Sequence, residues 1–497
     1  MKLKLVTRSL SNHAEIPLSG MLKLNRRSIR VLVFTAITLA AIIVRLYISF
    51  AHELILGMDG GYYPLQVRNI LSTGFLSFND VPLYFYFCAF LVKVTSLLGF
   101  AVTDETIISV IKIVDSTALP LLVIPLFKIL TKRDQNLPLF SEVAILFFAI
   151  FSFSPFIMLG DLQKNAFAIP LFLTFFYFLE CYLTTPTRWN LIVTLFALFI
   201  IAFTHFGTFA FGLAFLCISF FVAFGRKAIL PSLITIAIGC AIITLFDFNR
   251  AFRILTFWNV IFSRHIEFQG PMFVPILLNW LISYALAIFG VLQYQKQKHS
   301  NDKITGYVTL SLVVLIFIFA FPFYESQYVQ RFHVMLFIPQ SLLIFNLIRM
   351  NNKLILPFSI SLGLITLASG LIYFHEEKKP CIDELAYRDL QNIKPLIPVE
   401  RAGAIIIARH GIEFWTAWNL NMKVGNDRSI DKLGLEKYKN IIYLQQNNEE
   451  RQGPLGRRSM HKPGFGEEGH PPMRSPIPEN SKLIYSSPYF NAYQNLN

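Results

Sequence analysis

From residue 31 to residue 374 the chain is a succession of long apolar runs divided by short polar or basic stretches. A helix needs about twenty apolar residues to cross a hydrocarbon core about 30 Å thick. The pattern predicts spans at 31–50, 105–130, 139–158, 166–184, 190–204, 206–224, 229–246, 273–293, 304–323, 334–348 and 354–374, about eleven transmembrane helices. One more apolar stretch, VPLYFYFCAFLVKVTSLLGF (81–100), does not fit the series. If it crossed, Lys128, Lys132 and Arg133 would face outward and every later loop would invert. We read it as a helix lying along the outer surface, which suits Lys93 in its middle.

Beyond residue 374 the period changes. AGAIIIARHG (402–411), KNIIYLQQ (439–446) and SKLIYSSPYF (481–490) have the short apolar pattern of strands, and IEFWTAWNL (412–420) that of a helix. Residues 375–497 are expected to form a small extracytoplasmic α/β domain, with 447–479, rich in Pro, Gly, Glu and Arg, as a flexible loop.

Composition agrees with this class. Hydrophobic residues make up 54% of the 497 and charged residues 15%, where a soluble domain carries about a quarter charged. The chain reads as a polytopic α-helical membrane protein. Its net charge of +14 could suggest nucleic acid, but placement argues against that. Eighteen Lys and Arg fall in the 1–30 tail and alternate loops, against seven in the loops between them. Basic residues mark the cytoplasmic side, so the tail is expected inside as an uncleaved cytoplasmic segment and the C-terminal domain outside. The five cysteines imply no disulfide framework. No P-loop, Gly-rich dinucleotide fingerprint or zinc-spaced His/Cys pair is present. No cofactor is assigned, and a divalent metal stays open.

The chemistry-bearing residues collect in the outward loops. HELILGMDGGYYPLQVRNIL (52–71) sets Asp59 beside two glycines, then Tyr62 and Tyr63. Tyr63, Val67, Ile70 and Leu71 fall at helical spacing opposite Gln66, Arg68 and Asn69, so a short amphipathic helix opening near Pro64 is expected. LGDLQKNAF (159–167) carries Asp161, DFNRAFRILTFWNVIFSRHIEFQG (247–270) carries Arg264 and His265, and YESQYVQRFH (324–333) carries Arg331 and His333. Lys112 and Asp115 lie inside the second span, three apart, where they could pair with each other or Lys112 could meet a donor phosphate. Asp59 has a plainer alternative, capping the helix that begins near Tyr62, and Asp161 another, a cap with Lys164 beside it. His205 is expected to satisfy a local hydrogen bond. In ARHGIEFW (408–415) a strand ends beside an Arg-His pair, and Trp415 and Trp418 are expected to fill the small domain's core, with stacking on an acceptor sugar as the alternative.

Arg45 near the outer end of the first span, Asp59 at the start of the first outer loop, a tyrosine soon after, and two surface helices together resemble the GT-C superfamily of membrane glycosyltransferases. Protein mannosyltransferases and bacterial enzymes that add sugars to lipid A belong to it. The likeness covers roughly residues 30–350 in organisation and only a handful of specific residues. It implies a polyprenyl-phosphate sugar as donor, an extracytoplasmic lipid, glycan or protein as acceptor, and Asp59 as general base. Asp161 stands where that family places a second acid, which could orient the acceptor or join Asp59 around a metal. Arg331 first, then Arg264, resemble its binder of the lipid phosphate. Many relatives carry two adjacent acids where this chain has Asp59 followed by Gly60 and Gly61. A carboxylate can take the acceptor hydroxyl's proton, and a phosphate leaving group asks for cations; glycines here would let backbone and substrate come close. A bacterial inner membrane with catalysis facing the periplasm is the expected setting. A transporter or flippase of lipid-linked sugars, or a non-catalytic assembly partner, are the alternatives; a transporter would favour polar groups at mid-membrane and matching halves.

Overall fold

The computed structural model describes residues 26–133, 137–246, 261–262, 273–297, 303–350, 353, 355–376, 378–397, 403–427, 430, 433–447 and 477–496. Helix α1 (Arg26–Phe50) buries Phe34, Ile37, Ala41, Arg45 and Ser49 on one stripe. Leu32, Leu39, Ile43 and Tyr47 on its other side stay exposed. Exposed apolar surface on that scale is a membrane-contacting face. Among the described residues, seven helical stretches are long and apolar enough to cross a membrane, and Arg188–Thr204, Lys303–Phe319 and Leu356–Ile372 are apolar but shorter. The protein is a helical membrane protein.

Local chemistry accounts for the breaks. Pro120 sits in a 3-10 turn, Leu119–Leu122, between α4 (Asp104–Ala118) and the helix Val123–Arg133. Gly225, at φ +57°, closes Phe206–Phe224 before the next helix turns back. That return helix packs so closely that a Cβ on Gly239 would lie 2.9 Å from Leu213. The 324–333 segment differs from the expected loop, since Ser326–Met335 is helical and runs into Phe337–Met350.

The loop after α1 folds into α2 (Tyr62–Thr73) and α3 (Leu83–Leu97). Helix α2 buries Tyr63, Val67 and Ile70 as its pattern predicts, but Gln66, expected on the polar side, is buried too. Its amide oxygen takes the Ser77 and Phe78 N–H groups, closing the turn after α2.

At the C-terminal end, β1 (Ala404–Ala408), β2 (Val424–Asn426), β3 (Asn440–Gln446), β4 (Lys482–Ser486) and β5 (Phe490–Leu496) form one sheet in the order β2-β1-β3-β5-β4. Strand β1 lies parallel to β2 and β3, and all five of its residues are buried, as a central parallel strand requires. The strand expected over 481–490 is instead β4 followed by a turn into β5, which pairs antiparallel with β3. Strand β2 and the helix Glu384–Ile393 were not foreseen. Most of the 447–479 loop lies outside the described residues.

This domain does not stand apart. Tyr63, Val67, Phe85 and Ile111 of the first loop and α4 share a single apolar cluster with Leu390, Trp415 and Trp418. The two tryptophans are 0% and 1% exposed, so they fill the core as expected, but that core is shared with the first loop.

Candidate functional site

The loop between α1 and α2 is threaded through two others. Gly57, at φ +83°, donates its N–H to the Lys379 carbonyl at 3.0 Å and accepts from the Cys381 N–H at 3.3 Å. A Cβ there would lie 1.9 Å from Asp161 Oδ1. Gly160, at φ +87°, brings the Asp161 turn equally close, because a Cβ on it would stand 2.3 Å from the Leu56 carbonyl oxygen. The glycines after Asp59 do similar work. A Cβ on Gly60 would meet the Ile55 carbonyl oxygen at 2.4 Å, and one on Gly61 the Trp415 backbone nitrogen at 2.7 Å. They let the protein's own backbone come close, as expected.

Asp161 is the pivot. Its Oδ1 accepts the Met58 N–H and, at 3.4 Å, the Asp59 N–H. Its Oδ2 pairs with Lys378 Nζ at 3.0 Å. Lys378 also donates to the Ile157 and Leu159 carbonyls. Tyr63, which is buried, donates its hydroxyl to the Asp161 carbonyl at 3.0 Å. Neither helix-cap alternative describes these acids. Helix α2 has no side-chain cap, and the Asp59 main-chain oxygen takes the Tyr62 N–H instead. The helix Gln163–Thr184 also starts without a side-chain cap.

Asp59 is therefore a half-buried carboxylate without a capping role. Its pKa is pushed up to about 6, first by burial and then by the Asp161 carboxylate, while His410 and Lys164 pull it down. Lys164 belongs to a second chain of contacts. It pairs with Asp80, whose Oδ2 also accepts the Tyr62 hydroxyl at 2.6 Å, and Gln66 donates to that hydroxyl at 3.0 Å. Burial alone would raise Asp80, but Lys164 and these hydrogen bonds hold its carboxyl below the ordinary value.

The α/β domain supplies the remaining wall. Where β1 ends, Gly411 takes φ +95° and comes close enough to Met58 that a Cβ would lie 3.2 Å from its carbonyl oxygen. His410, next to that contact, shares a 2.8 Å hydrogen bond through Nδ1 with buried Glu413, whose Oε1 also accepts from Asn426 at 3.0 Å. Carboxylate support fixes an imidazole's orientation. Asp80, Lys378, His410 and Glu413 were not among the expected site residues. The Arg-His pair in ARHGIEFW was a visible signal; Asp80 and Lys378 gave none beyond their charge.

The residues within the bundle sort differently from expectation. Lys112 and Asp115 do not pair with each other. Lys112 donates to the His52 and Glu53 carbonyls at 2.6 and 2.9 Å, tying down the chain after α1. Asp115 accepts the Gly160 N–H at 2.7 Å and lies 3.9 Å from Arg45, which also donates to the Pro155 carbonyl at 2.8 Å. This buried pair holds the turn that presents Asp161. His333, expected in a substrate loop, is 3% exposed within the helical bundle, where Asn279 donates to its Nδ1 at 3.1 Å. Arg331 is exposed on Ser326–Met335, a helix that packs against the Phe153–Asp161 segment. Arg264 and His265 lie outside the described residues, although Ile261 just before them accepts the Glu325 N–H at 2.9 Å. His205 caps the helix Phe206–Phe224 through the Thr208 N–H, the local role expected.

Among the described residues no group of three or more His, Cys, Asp or Glu is placed to hold a metal. The Asp161 carboxylate is itself paired with the Lys378 ammonium at 3.0 Å. No protein-family model and no curated protein matches the chain.

Proposed function

We propose that this protein is a membrane glycosyltransferase that moves a sugar from a polyprenyl-phosphate donor to an extracytoplasmic acceptor. The observation that carries the reading is Asp59: a half-buried carboxylate with its pKa raised to about 6, held where the first loop, the Asp161 turn and the α/β domain meet. A general base works best with a pKa near the operating pH.

In the proposed step the acceptor hydroxyl oxygen attacks the anomeric carbon and the bond from that carbon to the phosphate oxygen breaks. The hydroxyl proton passes to Asp59, and polyprenyl phosphate leaves with the bond's electron pair. Asp161, neutralised by Lys378, positions the Met58–Asp59 backbone and does not itself take the proton. His410, held by Glu413, is placed to stabilise the Asp59 anion. Arg331, exposed on a helix against the Asp161 segment, is the first candidate for the donor phosphate, and Arg264 the second. A guanidinium fork matches phosphate oxygens. Lys112 is left out of the donor site because its ammonium is engaged by main-chain carbonyls.

The proposed setting is a bacterial inner membrane crossed about eleven times, with the N-terminus cytoplasmic and the α/β domain periplasmic. The transporter reading gains little. The polar network of Asn279, Ser283, Gln340 and His333 inside the bundle is closed by its own hydrogen bonds.

The test is sugar transfer in membranes supplied with a panel of polyprenyl-phosphate sugars, comparing the unaltered protein with Asp59→Asn at equal expression. Losing a general base costs about 10²- to 10⁴-fold in rate. Undiminished transfer by Asp59→Asn removes the residue from the mechanism.

A further inference from the structure

A second feature of the same junction is a cleft of about 750 Å³ between the later turns of α2 and the α/β domain. Its walls carry two exposed cations, Lys394 and Lys423, beside Arg68 and Asp104, which lie 4.0 Å from each other as an ion pair. Between them stand the amides of Asn69, Asn419 and Asn421, the Ser72 hydroxyl and the Tyr438 ring, while Trp418 lies buried beneath Arg68. Apolar ligand pockets are mostly hydrophobic with few polar groups; this one has the opposite balance. Its mixture of amides, a hydroxyl, one tyrosine ring and excess positive charge fits a ligand that is polyhydroxylated and anionic.

The walls are built rather than incidental. Arg68 donates to the Trp418 and Ala417 carbonyls at 2.7 and 3.4 Å and stacks 4.1 Å above the Trp418 ring. It thereby closes the C-terminal end of the helix Ile412–Leu420 and fixes one side of the cleft. Lys423 stands 5.8 Å from the centre of the Tyr438 ring on the other side, and both Lys423 and Lys394 are exposed.

The position is equally informative. Helix α2 and the helix Ile412–Leu420 run in the same direction. Gly61 and Tyr62 touch Trp415 and Phe414 at the end near Asp59, and Arg68 meets Trp418 at the end near the cleft. From Tyr62 to Ser72, α2 rises about 15 Å. A ligand seated in the cleft and reaching Asp59 must therefore be a chain of several units.

We infer that this cleft binds an anionic oligosaccharide, one carrying carboxylate or phosphate groups, as the acceptor chain whose end is presented to Asp59. The acceptor role rests on the glycosyl-transfer reading above; the binding itself does not.

The experiment is equilibrium binding to the full-length protein in nanodiscs, without donor, using tetragalacturonate as the anionic probe and maltotetraose as the neutral one. Tetragalacturonate is expected to bind at least about tenfold more tightly and to weaken as salt is raised, since exposed charge pairs are screened. Lys394→Glu with Lys423→Glu, both at exposed positions, is expected to weaken it by a further tenfold or more. The same double variant must unfold at the unaltered protein's temperature. Asp59→Asn should bind tetragalacturonate unchanged, so loss of transfer and loss of binding are separate results. The inference is overturned if neither probe binds, if both bind alike, or if the charge reversal leaves tetragalacturonate affinity unaltered.

Discussion

Asp59 and the two glycines after it occupy adjacent positions for different reasons, and each reason makes a prediction. A carboxylate with a raised pKa is less stable charged in the fold than in the unfolded chain. Between its unfolded value near 4 and its folded value of about 6, the folded protein binds the extra proton. The Asp59 contribution to stability therefore falls as pH rises through that window. Asp59→Asn should unfold at a higher temperature than the unaltered protein at pH 7.5, with the difference shrinking towards pH 4, while transfer is lost. As a base, Asp59 must be ionised, so transfer should rise with pH through about 6 and level off above it. A pH–rate profile flat from pH 5 to pH 8 would contradict that assignment. Gly61 predicts a structural effect instead. Gly61→Ala drives a methyl into the Trp415 backbone nitrogen, and overpacking of this kind costs about 1–3 kcal/mol. The readout is earlier proteolysis of the α/β domain, with the Asp59 pH profile unshifted in whatever activity remains.

Among the elements, the link from the last apolar helix into the α/β domain matters most, because it delivers Lys378. That ammonium meets Asp161 and two carbonyls in a nearly closed space, with 8% of the lysine side chain and 16% of the aspartate exposed. Removing one partner of such a pair costs about 3–5 kcal/mol because a charge is left uncompensated. Lys378→Met should lower the unfolding temperature sharply, and adding Asp161→Asn should recover most of the loss; a double variant no better than the single would refute the pairing. This element also marks how far the sequence could be read. The helices and β1 were legible because apolar periodicity is local: ten residues suffice to see AGAIIIARHG as a strand. Asp59 and Asp161 were legible as acids in the polar stretches between apolar runs. The roles of Lys378 and Asp80 were not, since each is set by a partner far along the chain, Asp161 and Lys164 respectively, nor was that of His410, which acts on the distant Asp59. The Lys112–Asp115 pairing failed for the same reason. Helical spacing allowed the contact, but carbonyls from His52 and Glu53 and an N–H from Gly160 competed for it.

For the whole molecule, the shared core bears on how the chain threads the membrane. Helix α2 and the α/β domain are packed together, so they lie on one side, and the chain must cross an even number of times between Thr73 and Lys378. The Met58–Asp161 contact sets the same condition between those two residues. The proposed eleven-span threading, with ten crossings over the first interval and two over the second, would meet both conditions. Counting 81–100 as a further crossing would make each number odd. The surface reading of that stretch also suits α3 itself, which buries Tyr84, Phe85, Cys88, Ala89 and Val92. Its other side leaves Phe87 and Phe90 exposed, with Leu97, Leu98 and Phe100 exposed at its end. Such a helix can rest in the lipid boundary without crossing it. In a background with the five native cysteines replaced, Ser72→Cys and Lys482→Cys should both react with a membrane-impermeant maleimide from the outer side. Arg188→Cys should react only after the membrane is opened. Labelling of Ser72→Cys and Lys482→Cys from opposite sides would break the shared core, and with it the site built around Asp59. Labelling of Arg188→Cys from the outer side would restore 81–100 as a crossing and leave the contact between Met58 and Asp161 without a route.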